Sequence, residues 1–174
     1  MDFGKFLSTG ELSDMTVTVD SKVFKLHKFP LYTKSDFFRT LARSTLAEKD
    51  HVTLTDFPSG PSAFELVANY CYNVRIKITP DNVCQLRCAA EFLQMTGPGN
   101  LVGATDRVLD SALTSASLER QIDSVVGLVG QCRQLGAIAE QAGIIEKCIM
   151  AIVDSWLCAP TFTRLVVNSE STRS

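Results

Sequence analysis

Imidazole is scarce in this chain: His27 and His51 are its two histidines in 174 residues. Neither has an obvious serine or cysteine nucleophile nearby in sequence, so chemistry built on a histidine base has little support. The chain lacks both the C-x-x-C and the H-x-x-x-H spacings that hold zinc, and Cys84 and Cys88, four apart, have no second pair to complete a tetrahedron. Gly97-Pro98-Gly99 is not a phosphate cradle, because no strand precedes it and no Lys-Ser/Thr follows it. There is no basic run, and the net charge is −2, which argues against nucleic acid, whose phosphates require clustered Lys and Arg. No apolar run approaches the roughly 20 residues of a membrane span, and no signal peptide opens the chain. The expectation is an intracellular, cytoplasmic protein, with the plasma membrane or the nucleus as alternative addresses. No catalytic residue, cofactor, metal ligand or small-molecule substrate is expected.

What is present suits a packed domain. The chain is 45% hydrophobic and 21% charged, enough to bury a core. Five of the six cysteines, Cys71, Cys84, Cys88, Cys132 and Cys148, fall in apolar stretches of helical period, with Cys158 beyond them. Without a secretion signal, buried thiols rather than disulfides are expected.

Met15, Val17 and Val19 alternate with Thr16, Thr18 and Asp20, and Phe24 and Leu26 alternate with Lys25 and His27. Both are half-buried strand patterns, joined by a reversal at Asp20-Ser21. Pro30 is tolerated in the first turn of a helix, so the unit reads strand, turn, strand, helix, with His27 at the corner. Before it, Phe3, Phe6 and Leu7 stand among polar residues; a lone monomer would bury them poorly, and the readings are a partner surface or a loosely packed terminus.

Ser35 is placed to cap a helix from Asp36 to about Ala42, and His51 to Thr55 alternates again. Ser62 and Glu65 have the spacing of a capping box at the start of a helix that Asn73 ends. Ile76-Lys77-Ile78 reads as a very short edge strand. Thr79-Pro80 opens a helix to about Met95, stopped by Gly97-Pro98-Gly99, and a further helix spans about Asn100 to Leu113. Arg87 and Glu91 have the spacing of a surface ion pair. A composition shift at Thr114-Ser115-Ala116-Ser117 marks a boundary. Beyond it run one amphipathic helix and a second apolar series, Ile138, Ala142, Ile145, Ile149, Ile152 and Trp156, broken by Gly136 and Gly143, with Trp156 closing its core. The total is three strands in the first half and five or six helices, an α+β domain with a helical appendage.

The string Leu26-His27-Lys28-Phe29-Pro30-Leu31, with Asp14 opening the hairpin, resembles the start of a BTB (POZ) domain, and most closely that of the plant BTB proteins of the non-phototropic-hypocotyl type, which act in phototropism and auxin-linked growth. The likeness continues in Asp56-Phe57-Pro58-Ser59-Gly60, in Tyr70-Cys71-Tyr72, and most specifically in Arg87-Cys88-Ala89-Ala90-Glu91-Phe92-Leu93-Gln94-Met95-Thr96. Asn73 stands where a glycine is usual, the loop before Gly99-Asn100-Leu101 is shortened, and the usual tryptophan before Asp123-Ser124 is missing. The likeness covers about Leu12 to Trp156. The larger domain that follows in the plant proteins has no counterpart here, so the reading is of a fragment or a truncated member.

The resemblance implies a BTB/POZ fold over 1–113, a small three-stranded sheet with helical hairpins, then a helical extension over 114–159 like the start of a BACK region, and a flexible tail over 160–174. It implies a homodimer, with Phe3, Phe6, Leu7 and Asp14 at the dimer interface and His27 as a structural corner. It also implies cullin-3 as a partner and an unknown protein substrate brought to ubiquitination. The recruiting pattern, a hydrophobic residue, any residue, then glutamate, is met by Leu46-Ala47-Glu48. Leu46 would fill an apolar pocket and Glu48 would fix the loop by accepting a hydrogen bond; the alternative is a solvated loop with a chance leucine. A scaffold that only self-associates, without cullin-3, is the competing function, and a monomeric adaptor with an altered self-association surface is a third.

Overall fold

The computed structural model describes residues 3–43, 50–97, 99–114 and 117–157. The first strand is the centre of the sheet. β1 (Met15–Val19) pairs antiparallel with β2 (Lys22–Leu26), Met15 opposite Leu26 and Val19 opposite Lys22. The turn needs no glycine because Asp20 itself takes a left-handed backbone, φ 51°, a conformation that aspartate tolerates better than most residues. β3 (His51–Leu54) lies on the other side of β1 and parallel to it, giving the order β2-β1-β3. Met15, Val17 and Val19 are buried on one face, and Val52 and Leu54 extend that row.

Helices cover that face. α1 (Phe3–Thr9) precedes the sheet, and α2 (Lys28–Lys34) and α3 (Asp36–Arg43) follow it. Between the last two, the fully buried Ser35 hydroxyl donates to the Leu93 carbonyl at 2.6 Å and accepts from the Phe38 amide at 3.3 Å, the expected cap. α4 (Gly60–Cys71) and α5 (Val83–Phe92) pack as a hairpin, and α6 (Leu101–Leu113) follows. Phe38, Phe64, Leu86 and Leu93 are fully buried; Phe24 and Phe57 meet Phe64 edge-on at 4.9 and 5.5 Å, and Phe92 meets Phe57 at 5.3 Å.

Several expectations are corrected. Ser62 and Glu65 do not form a capping box: α4 starts three residues earlier, with Ser59 before its first residue and Pro61 in its first turn, and the Glu65 carboxylate instead meets Lys22 at 2.7 Å. Thr79-Pro80 does not open α5. The Asn82 side chain accepts from the Thr79 amide, so residues 79–82 form a turn and the helix begins at Val83. It ends before Gly97, where Gln94 turns left-handed (φ 51°) and the Met95 amide reaches back to the Ala90 carbonyl at 2.8 Å. Ile76-Lys77-Ile78 keeps the alternation of a strand but is not one, because a strand is defined by a ladder and these residues have no ladder partner among the described residues. Arg87 is no surface residue. Its side chain is 11% exposed and reaches Glu91 at 2.5 Å and Asp106 at 3.3 Å.

The chain separates into two compact units, Met1–Leu109 and Asp110–Ser174. In the second, α7 (Leu118–Leu135), α8 (Ala137–Gln141) and α9 (Ile144–Leu157) are separated at Gly136 and Gly143, as expected, and both glycines have positive φ. The buried residues include Gln121, Val125, Leu128 and Cys132 of α7, Ala139 of α8, and Ile144 and Cys148 of α9. The expected apolar series is therefore one residue out of phase on α9. Ile149 is exposed, and Trp156, expected to close this core, is 61% exposed. Ser155 occupies the inward position and bonds Gln121, whose amide donates to the Ala151 carbonyl at 3.0 Å. Trp156 stands about 100° further round the helix. Among the described residues there are nine helices rather than five or six: α1, of seven residues, is too short to show a period, and Gly143 divides the second apolar series into α8 and α9. Cys71, Cys84, Cys88, Cys132 and Cys148 are buried as reduced thiols, and burial pushes the Cys71 thiol up to about 12.

Candidate protein interaction surface

The corner between β2 and α2 is tied by groups distant in sequence. The His27 amide donates to the Tyr72 hydroxyl at 2.7 Å, and the same hydroxyl lies 2.8 Å from Nδ1 of the ring. Nε2 lies 2.8 Å from the Glu11 carbonyl. A carbonyl can only accept, so Nε2 carries a proton, and in the neutral ring Nδ1 accepts from the phenol. Burial pushes the Tyr72 phenol up to about 12, which keeps that donor protonated. Both ring nitrogens are thus engaged within the chain.

Asp14 completes the corner. Its Oδ1 accepts from the Lys28 amide at 2.8 Å, capping α2 from outside the helix. Lys28 then pairs through Nζ with Asp50 just before β3. The bond each makes to the other raises the lysine pKa and lowers that of the aspartate.

Over this polar tie lies an apolar surface. Phe6 of α1 meets the His27 ring edge-on, centroids 6.0 Å apart. With Leu12, Phe29, Pro30 and the corner residues it lines a concavity of about 280 Å³. Leu12 is 80% exposed and Phe29 70% exposed. Leu12 also holds a left-handed backbone, φ 60°, which disfavours a large side chain. Two large apolar side chains thus stand in water here, one of them on a strained backbone.

Of the expected interface residues, the structure brings Phe6 and Asp14 together at this concavity, while Leu7 is half-buried against its own core. Phe3 lies in α1, but its side chain falls outside the described part, as do Leu46 and Glu48. Sequence reasoning passed over Leu12, Phe29 and Tyr72. The first two had a signal: Leu12 is a large apolar residue between Glu11 and Ser13, and Phe29 follows Lys28 directly after the corner. His51 is exposed on β3.

The model of the BTB/POZ domain family matches residues 3–103. The chain belongs to the BTB/POZ family. Its relatives include a BTB/POZ domain-containing protein of Arabidopsis thaliana, 37% identical over 148 residues, which are 82% of this chain and 24% of the relative. Root phototropism protein 2 of the same plant is 36% identical over 141 residues, 79% of this chain and 23% of that protein. The BTB/POZ domain-containing protein SR1IP1, also from Arabidopsis thaliana, is 32% identical over 165 residues, 90% of this chain and 27% of that one. This BTB chain thus spans about a quarter of the length of the plant relatives it matches. The α+β architecture, a small three-stranded sheet under helical hairpins with further helices after it, agrees with the family fold. A BTB domain is a protein-interaction domain, so the apolar surface over the His27 corner is where partner contact is to be sought. Among the described residues no helix is long and apolar enough to cross a membrane.

Proposed function

We propose that this BTB domain is a homodimeric adaptor that brings a protein substrate to a cullin-3 ubiquitin ligase in the cytoplasm and catalyses nothing itself. The reading keeps the division into a BTB domain over 1–113, a helical extension over 114–159 and a tail over 160–174. Its support is the exposed apolar pair Leu12 and Phe29 beside Phe6, set on a corner whose only histidine is engaged at both nitrogens. A second copy covering that surface would remove both side chains from water, and Phe3, Phe6, Leu7 and Asp14 belong to the same contact. Leu46 and Glu48 are proposed as the cullin-3 contact. The likeness to Root phototropism protein 2 makes phototropic or auxin-linked signalling the context proposed here.

Light scattering tests the dimer: the expected mass is twice the 19.1 kDa of one chain, returning to one chain in the double variant L12D/F29D. A concentration-independent monomer overturns it. Pull-down with purified cullin-3 tests the adaptor, with binding that L46D or E48A weakens strongly. A dimer that does not bind cullin-3 leaves the self-associating scaffold as the function.

A further inference from the structure

After α4, the left-handed Asn73 (φ 57°) redirects the chain into residues 74–79, which belong to no helix or strand. Their side chains nonetheless alternate: Val74, Ile76 and Ile78 are half-buried against the core, and Arg75 and Lys77 are exposed. This is the two-residue period of a strand lying on a domain surface. Among the described residues, the amides of Arg75, Ile76, Lys77 and Ile78 have no hydrogen-bond partner. Unpaired amides on an alternating segment are a template for another strand, with the Lys77 carbonyl already taken by the Asn82 side chain at 3.0 Å. Beside it opens a concavity of about 400 Å³, floored by Tyr70, whose hydroxyl donates to the Gly99 carbonyl at 2.8 Å. Lys34 sits over the Tyr70 ring with Nζ 5.5 Å from its centroid, and the residues lining this concavity include Lys34 and Arg75 but no carboxylate.

We infer that residues 75–78 form a docking edge for an extended acidic peptide of a partner protein, which adds as a strand and sets its carboxylates against Arg75, Lys77 and Lys34. Charge selects this occupant over a second copy. Paired strands place exposed residues opposite exposed residues, so self-pairing would set Arg75 or Lys77 against another cation, a destabilising arrangement. An acidic strand turns the same positions into attractive pairs while the backbone ladder supplies affinity that is indifferent to sequence. This edge is separate from the Leu12–Phe29 surface, so its occupancy does not depend on the dimer proposed above.

The test uses the full chain and a fluorescent peptide of about seven residues, alternating glutamate with valine, long enough for one strand. Anisotropy is expected to show binding that falls when lysine replaces glutamate, and falls again when proline replaces the central valine. The variant R75E/K77E changes exposed side chains only, and circular dichroism checks that it folds. It is expected to bind the acidic peptide about tenfold more weakly, through two cross-strand pairs turned repulsive. Amide exchange at residues 75–78 is expected to slow on peptide addition. The inference is overturned by absence of binding, by affinity indifferent to R75E/K77E, or by peptide binding that leaves those amides unprotected. Protection that rises with protein concentration alone overturns it in favour of a second copy.

Discussion

The Tyr72 hydroxyl stands 2.7 Å from the main-chain nitrogen of His27 and 2.8 Å from its ring Nδ1, joining two residues 45 positions apart. One atom therefore holds both the end of β2 and the ring that packs on α1. Tyr72→Phe removes it and leaves a main-chain donor and an imidazole nitrogen without their partner. The expected loss is about 1–3 kcal/mol, the cost of orphaned polar groups, read as a lower urea midpoint with unchanged slope.

The same contact gives a pH dependence. Burial raises the Tyr72 phenol from 10.0 to about 12, so the folded state holds that proton more tightly than the unfolded chain. The contribution is complete below pH 10 and is lost as pH climbs from 10 through about 12. Buried Cys71, raised from 9.0 to about 12, acts in the same direction from pH 9 upward. Urea titrations across this range are expected to show falling stability, with a shallower fall between pH 10 and 12 in the Tyr72→Phe variant.

Local patterns were readable and distant partnerships were not. The hairpin showed in the alternation from Met15 to Leu26, and Asn73, Gly136 and Gly143 marked chain reversals because a left-handed backbone suits few residues. Arg87 and Glu91 were visible at helical spacing, but Asp106, nineteen positions away, was not, so a nearly buried network read as a surface pair. Gly143 resets the helical phase, and nothing in the run of isoleucines says by how much. α9 therefore buries Ile144 and Cys148 and leaves Ile149 and Trp156 outside. Ile76-Lys77-Ile78 showed a strand's alternation, which reports burial, while strand status depends on a partner that the chain's own sequence does not name.

Arg87→Met is expected to destabilise the domain, because Glu91 and Asp106 lose the guanidinium between them. The cost is about 2 kcal/mol, below that of a fully buried pair, since both carboxylates keep some contact with water. Arg87→Lys recovers only part, because an ammonium lacks the fork that reaches two acids. Adding E91Q and D106N to R87M is expected to restore most of the loss in chemical denaturation. A triple variant no better than R87M would show that packing of the arginine stem dominates.

Leu12→Gly is expected to act in opposite directions on the fold and on association. A left-handed leucine carries about 1–2 kcal/mol of backbone strain that glycine lacks. Its side chain is 80% exposed, so the lone domain loses little contact. Dilute protein should therefore unfold at higher urea, while sedimentation at high concentration shows weaker self-association. A gain in both would mean that Leu12 takes no part in the contact.

Gly60 couples the hairpin turn to the start of α4. Its backbone is left-handed, φ +61°, and an added Cβ would lie 2.9 Å from Oδ2 of Asp20, the residue that makes the turn between β1 and β2. Gly60→Ala thus meets two penalties, backbone strain and a close approach to a carboxylate, and a loss of about 1–3 kcal/mol is expected. Asp20→Gly removes the carboxylate and gives the turn a residue suited to its own positive φ. The double variant G60A/D20G is expected to be more stable than the sum of the two single changes predicts, by the part of the Gly60→Ala loss that came from contact. Thermal denaturation of the four proteins in this cycle measures that part. Strict additivity would assign the whole cost to the backbone of Gly60.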